Sequence, residues 1–185
     1  RLLDMVQRHS DRINGIIESV MQLSSSRQAA PKLLNLKAEV NAAIREHCEA
    51  SDITAQQLTV DIGDPLWVEF DHGQLQQILA NLINNAARHA QPLSADVAIT
   101  FNARTTDTTI QLLVSDNGIG LHSASGDNTD PTESTERFFE PFYSRDSRSR
   151  GSGLGLFICR QLAQANDGAL HYEMASPPTP HAFGL

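Results

Sequence analysis

Cysteine is scarce: Cys48 and Cys159 are the only two among 185 residues. They stand far apart with no C-x-x-C pair, which excludes a disulfide framework and a thiol redox site. Both fall in segments that read as helix, where a free cysteine acts as a small core hydrophobe, and the expectation is a reduced intracellular setting. Basic charge is short as well: 14 Lys plus Arg against 22 Asp plus Glu leave a net charge of −8. That balance argues against a nucleic-acid-binding surface and against a polybasic membrane patch, so an anionic ligand must be held locally. No apolar run approaches the ~18 residues of a membrane span, and no signal peptide precedes the first helix. The chain opens on Arg1 in mid-helix without an initiator Met, so a fragment of a longer protein is expected. With 40% hydrophobic and 19% charged residues, it is long enough for one globular domain with a proper core and an appendage.

The most informative stretch is Gln77 to Ala90, QILANLINNAARHA. At roughly 100° per residue, Asn81, Asn85 and Arg88 fall within about 60° of one another, beside an apolar arc of Leu75, Ile78, Leu79, Leu82, Ile83 and Ala86. Asparagine competes with backbone hydrogen bonds, so Asn81, Asn84 and Asn85 cost helix propensity. A carboxamide oxygen is a neutral, hard ligand suited to Mg²⁺, which takes the rest of its shell from water and substrate phosphates. The plainer reading is that the three are solvated or capping.

From Leu2 to Leu23 the positions Leu2, Val6, His9, Ile13, Ile16, Val20 and Leu23 alternate in steps of three and four, the seam of a coiled coil that needs a partner helix. Residues from Ser24 to Pro31 break the pattern and mark a domain boundary. Helical spacing resumes from Asn35, a candidate cap, to Ala50. Leu58 to Ile62 and Leu66 to Phe70 alternate around Gly63, Asp64 and Pro65, which predicts a strand pair joined by a tight turn. Asp71 can cap the asparagine helix. Asp96 to Ala103 and Thr109 to Val114 predict a second hairpin. About 35 residues rich in Gly, Ser, Thr, Asp and Pro follow, a length typical of lids. Leu154 to Asn166 reads as helix ended by Asp167 and Gly168, and Ala169 to Met174 and His181 to Leu185 read as strands. The expected architecture is an α/β fold, a two-layer sandwich with a mixed, mostly antiparallel sheet covered on one face by helices and preceded by one long coiled-coil-like helix.

Two further motifs carry chemistry. Asp116, Asn117, Gly118, Ile119 and Gly120 follow a predicted strand; a carboxylate there can accept a hydrogen bond from an exocyclic amine such as that of adenine, and the glycines let backbone pass close to a flat ring. Alone, this is also an ordinary Asn-Gly turn. Gly151, Ser152, Gly153, Leu154 and Gly155 run straight into a helix, where free amides and the positive helix end suit phosphate. Arg145, Arg148 and Arg150 just before them can add charge-assisted contacts, or simply keep a loop soluble.

The order of these motifs resembles the ATP-binding catalytic domain of sensor histidine kinases, within the wider family of gyrase B, Hsp90 and MutL ATPases. QILANLINNAARHA resembles the N-box, DNGIG the first glycine box, FFEPF the F-box and GSGLGL the second glycine box. There is also a faint likeness throughout to sensors of the type that controls pilin genes. The resemblance implies a Bergerat-type ATP-binding fold over 31–185 with a lid at about 121–150, and implies that 1–30 is the second helix of a dimerisation and phosphotransfer hairpin plus linker. It implies ATP and Mg²⁺ as ligands, with Asn85 on the metal and Asn81 beside the metal and γ-phosphate. Arg88 would approach the phosphates and His89 the ribose or adenine. Asp116 would read the adenine amine, Gly118 and Gly120 would clear space for the base, and Gly151, Ser152, Gly153, Leu154 and Gly155 would line the phosphate side. Phe139 and Phe142 would anchor the lid.

The implied reaction is transfer of the γ-phosphate to a histidine, then to an aspartate of a response regulator, with no catalytic group assigned beyond those that position ATP. The implied partners are an upstream acceptor hairpin, a response regulator and a second copy in a full-length homodimer, and the implied setting is the cytoplasmic portion of a bacterial inner-membrane sensor. The family's ATPases carry a glutamate four residues before the metal-binding asparagine; Asn81 stands there and cannot act as a base, which favours transfer over hydrolysis. The acceptor motif, a histidine followed by an acidic residue, is absent, because His9 is followed by Ser10. This chain is therefore not expected to phosphorylate itself. Two other readings are a nucleotide-binding regulatory module without phosphotransfer and a related ATP-hydrolysing clamp domain.

Overall fold

A computed structural model describes residues 29–50, 57–63, 65–89, 98–106, 108–118, 135–143, 152–173 and 181–185, together with the single residues 10, 13 and 17. The elements in chain order are β1 (Lys32–Asn35), α1 (Leu36–Ala50), β2 (Leu58–Asp61), β3 (Trp67–Phe70), α2 (His72–His89), β4 (Ile99–Thr105), β5 (Ile110–Asp116), a 3-10 turn (Arg137–Phe139), α3 (Gly155–Ala165), β6 (His171–Glu173) and β7 (His181–Gly184). Five strands form one sheet in the order β2-β4-β5-β7-β6, and β1 and β3 form a separate two-stranded sheet. Every pairing is antiparallel except β2 with β4. The mixed, mostly antiparallel sheet packed against helices is the expected architecture.

The hairpin expected of Leu58 to Phe70 does not form. β3 pairs instead with β1, Leu34 opposite Val68, and β2 lies parallel to β4, Val60 opposite Phe101. Alternation shows that each segment has one face to bury, but it carries no information about which strand lies alongside. β1, to which the sequence assigns no element, is a strand whose partner lies far along the chain. Asn35 at its end does cap α1, its Oδ1 accepting from Ala38 N at 2.9 Å. The predicted β4–β5 hairpin is present, closed by Thr106 N donating to Thr109 O at 2.9 Å.

One apolar cluster joins Ile99, Phe101, Leu112 and Val114 of the sheet to Leu36 and Val40 of α1, Leu75, Ile78, Leu79, Leu82 and Ile83 of α2, and Ile158, Cys159 and Leu162 of α3. Each such side chain contributes about 1.5–3 kcal/mol when fully buried. Both cysteines are free; Cys159 is buried and Cys48 half-buried against the same core. Of the seam positions only Ile13 is described, helical and exposed, as is its neighbour Ile17. Among the described residues no helix is long and apolar enough to cross a membrane.

Candidate functional site

The asparagine helix starts where the sequence places it. Asp71 Oδ1 accepts from Gln74 N at 3.0 Å and its Oδ2 from Ala30 N at 3.0 Å. These bonds hold the Asp71 carboxyl below the usual carboxylate range. Along α2, Leu75, Ile78, Leu79, Leu82 and Ile83 face the core, Asn81 and Asn85 are half-buried at its margin, and Asn84 and Arg88 are exposed. Asn81 Nδ2 is buried and meets no oxygen or nitrogen acceptor among the described groups, its polar neighbour being the Cys159 thiol. Its Oδ1 lies at the start of α3: a methyl group placed on Gly155 would stand 3.9 Å from it.

α3 begins without a side-chain cap, Leu154 occupying the capping position. The first amides of a helix have no intrahelical acceptor, so this end presents donors and a partial positive charge. Ser152 Oγ accepts from Leu154 N at 3.3 Å and shapes the approach. Gly153 sits at φ +72°, and a methyl group there would meet the Phe142 carbonyl carbon at 2.7 Å. The F-box turn and the second glycine loop are thus clasped backbone to backbone.

The expectation that Phe139 and Phe142 anchor this segment needs correction. Phe138 and Phe139 are buried, while the Phe142 side chain is 59% exposed on a backbone at φ 65°. Phe138 stacks edge-on with Tyr143 at 5.6 Å, and Phe139 lies under Arg160, whose guanidinium stands 4.7 Å from the ring centroid and 2.7 Å from Glu136 Oε2. Sequence reasoning missed Phe138 and Arg160. Arg160 lies one and a half turns into α3 on its solvent margin, and the only signal for it was an arginine beside a helix face that otherwise packs.

On the sheet side, Asp116 ends β5 in register with Ile99 and His181, on the face that packs against the helices. Its Oδ1 accepts from Gly118 N at 2.8 Å, while Asn117 ties the turn to β4 through Ala98 N donating to its Oδ1 at 3.0 Å. Asp116 is half-buried at the strand end, with Gly118 beyond it. Gly120, Gly151 and the lid apart from 135–143 lie outside the described residues, as do Arg145, Arg148, Arg150 and the His89 side chain. Among the described residues no group of His, Cys, Asp or Glu side chains is placed to hold a metal ion; the half-buried carboxamides of Asn81 and Asn85 are the oxygen donors at this edge.

Residues 70–181 match the family described as histidine kinase-, DNA gyrase B-, and HSP90-like ATPase. The chain belongs to that family. The sensor protein kinase PilS of Pseudomonas aeruginosa is 31% identical over 93% of this chain, and the sensor-like histidine kinase SenX3 of Mycolicibacterium smegmatis is 30% identical over 100%. The chain spans 31% and 47% of those two proteins. Its fold is that of histidine kinase catalytic domains: the structure of the mycobacterial sensor histidine kinase MprB superposes with a TM-score of 0.63 at 20% identity, covering 84% of this chain and 94% of that one. The family match begins at Phe70 and closes at His181, so α2, the Asp116 turn, the F-box turn and the start of α3 all lie inside it.

Proposed function

We propose that this chain is the ATP-binding catalytic part of a sensor histidine kinase, positioning ATP·Mg²⁺ for transfer of the γ-phosphate to a histidine on a separate hairpin helix. The observation that carries this reading is the meeting of the Asn81 carboxamide, its Oδ1 turned toward Gly155, with the uncapped start of α3. A carboxamide oxygen is a neutral, hard ligand suited to Mg²⁺. A helix N-terminus beside it favours an anion, so the pair fits a phosphate chain. Asn85 and Asn81 would hold Mg²⁺, which would offset the charge of the phosphates. Asp116 accepts the adenine amine, and Gly118 and Gly120 leave room for the base. Ser152, Gly153, Leu154, Gly155 and Gly151 line the phosphates, with Arg88 and His89 at the far end of α2.

Asn81 cannot deprotonate water, so the site orients and stabilises rather than hydrolyses. The acceptor hairpin, a response regulator, a homodimeric whole protein and a bacterial inner-membrane setting belong to the same reading. Residues 1–30 then form part of the hairpin and linker. Support comes from the names of PilS and SenX3, and from the structure of the histidine kinase ThkA in complex with the response regulator protein TrrA, which superposes with a TM-score of 0.67 over 100% of this chain and 50% of that one at 20% identity.

Calorimetric titration with a non-hydrolysable ATP analogue, with and without Mg²⁺, tests the reading. Binding that depends on Mg²⁺ and is lost in Asp116→Asn supports it; no binding under either condition sinks it. Addition of a separate acceptor hairpin then distinguishes transfer from a purely regulatory module, and phosphate release without the hairpin would identify a hydrolysing clamp.

A further inference from the structure

α2 and α3 run side by side in opposite directions. At one end Gln74 in the first turn of α2 meets Asn166 at the close of α3; midway Cys159 Sγ approaches Ile78 O at 3.9 Å; at the other end Asn81 meets Gly155. The two ends differ in kind. At the Asn81 end the residue is half-buried and its Oδ1 faces Gly155 at the uncapped start of α3. The Asn166 end is polar, buried and closed. Asn166 Nδ2 donates to Gln74 Oε1 at 2.6 Å and to Leu162 O at 2.9 Å, and its Oδ1 accepts from Asp71 N at 2.7 Å. Asn166 and Gln74 are 8% and 9% exposed. A single carboxamide thus uses one amide hydrogen and its oxygen to fix the end of one site helix against the beginning of the other, while its second amide hydrogen is held by its own helix.

From these contacts we infer that Asn166 is a positioning residue for the nucleotide site: it sets the spacing between α2 and α3, and so the gap between Asn81 and Gly155. The inference rests on the nucleotide reading above. The middle of the helix pair is apolar and packs through Ile78, Cys159 and Leu162. Apolar contacts resist separation but permit sliding and rotation, whereas two directional hydrogen bonds between the helices, from a carboxamide that a third bond anchors to its own helix, fix both. Gln74 and Asn81 are seven residues apart on one helix, about 10 Å of rise, so a small change of angle at the brace becomes a shift of hydrogen-bonding scale at the Asn81 end. The same residue reaches the linker, since Asp71, whose amide Asn166 holds, accepts Ala30 N through its carboxylate.

The test compares Asn166→Ala with wild type and with Gln164→Ala, an exposed change on the same last turn. Two readouts are taken on the 185-residue chain: the side-chain amide resonances of Asn81 in the nucleotide-free protein, and the Kd of a non-hydrolysable ATP analogue with Mg²⁺. Asn166→Ala is expected to move the Asn81 resonances while the β4–β5 amides stay, and to weaken analogue binding on the order of tenfold; Gln164→Ala changes neither. Unmoved Asn81 resonances, or a Kd within about twofold of wild type in a folded variant, overturn the inference and leave Asn166 as a stabilising cap only. If Asn166→Ala does not fold, Gln74→Met is read the same way, since it removes one of the two bonds between the helices and leaves Asn166 its bond to Asp71. If wild type binds no nucleotide, the functional reading fails, and the Asn81 resonances alone decide the brace.

Discussion

A methyl group added at Gly153 would come within 2.7 Å of the Phe142 carbonyl carbon, and one added at Gly184 would come within 2.7 Å of the His171 ring and 2.8 Å of Gln111 Nε2. The distances match, but the obstacles do not. At Gly153 the neighbour is backbone and φ is +72°, so an alanine meets both a clash that cannot move aside and a left-handed conformation it resists. Gly153→Ala is expected to cost about 3 kcal/mol or more. At Gly184 the neighbours are the ends of two side chains that bridge over β7, Gln111 Nε2 donating to Glu173 Oε1 at 2.8 Å. They can swing aside, so Gly184→Ala should cost no more than about 1 kcal/mol, the worth of an exposed hydrogen bond or two. Urea unfolding of both variants checks the contrast. Asp167 is the converse case. It holds φ 57° just past α3, with its amide bonded to Gln164 O at 3.2 Å and that of Gly168 to Ala163 O at 2.9 Å. The double bond of this helix end needs a left-handed residue at that point, and glycine accepts it at less cost. Asp167→Gly should raise stability by about 0.5–1 kcal/mol, read as a higher thermal midpoint.

Among the elements, α2 was the most legible in the sequence, because its cap, apolar arc and carboxamide edge all lie within one continuous stretch. Asn84 is exposed and Asn85 half-buried beside Asn81's side of the helix, so Asn85→Ala should weaken Mg²⁺-dependent binding of an ATP analogue far more than Asn84→Ala. Equal effects in titration would contradict that helical face. The cap of α2 gives a pH dependence. Asp71's carboxyl is depressed in the folded chain by the amides of Gln74 and Ala30. Its contribution is therefore full above the unfolded value of 3.8 and is lost as pH falls from there through the folded value. Asp71→Ala should cost about 1 kcal/mol at pH 7, and the gap from wild type in denaturant titrations should narrow below pH ~4. β1 and β3 were the least legible. Leu33, Leu34, Trp67 and Val68 have strand character, but nothing local says that they face each other across α1 and β2, because register and partner are set by distant burial. The buried Phe138 and the exposed Phe142 were similarly hidden: in FFEPF every aromatic looks alike until Pro141 and the left-handed Phe142 turn one ring inward and another out.

At the scale of the whole molecule, one core cluster unites α1, α2 and α3 with the sheet, and burial pushes the Cys159 thiol within it up to about 12. Under native conditions a thiol reagent should modify the half-buried Cys48 readily and Cys159 only at the rate at which the core opens, so Cys159 labelling should track global unfolding. Comparable rates for both would mean that the α2–α3 interface opens locally. The parallel pairing of β2 with β4 has a consequence for how the chain reaches this fold. β4–β5 and β6–β7 join neighbours in sequence and can zip early, but Leu58 meets Ile99 only after β3 has crossed to the other sheet and α2 has been laid down between them. Contacts of such separation carry the larger loop-closure cost and form after the local hairpins. Val60→Ala should therefore speed unfolding more than it slows refolding, while Phe101→Leu should slow refolding, as the two arms of a chevron would report. The helix that carries the asparagines is then also the crossover that the edge strand must wait for, and a chain with a poorly formed α2 would fail in assembly before it could fail in binding.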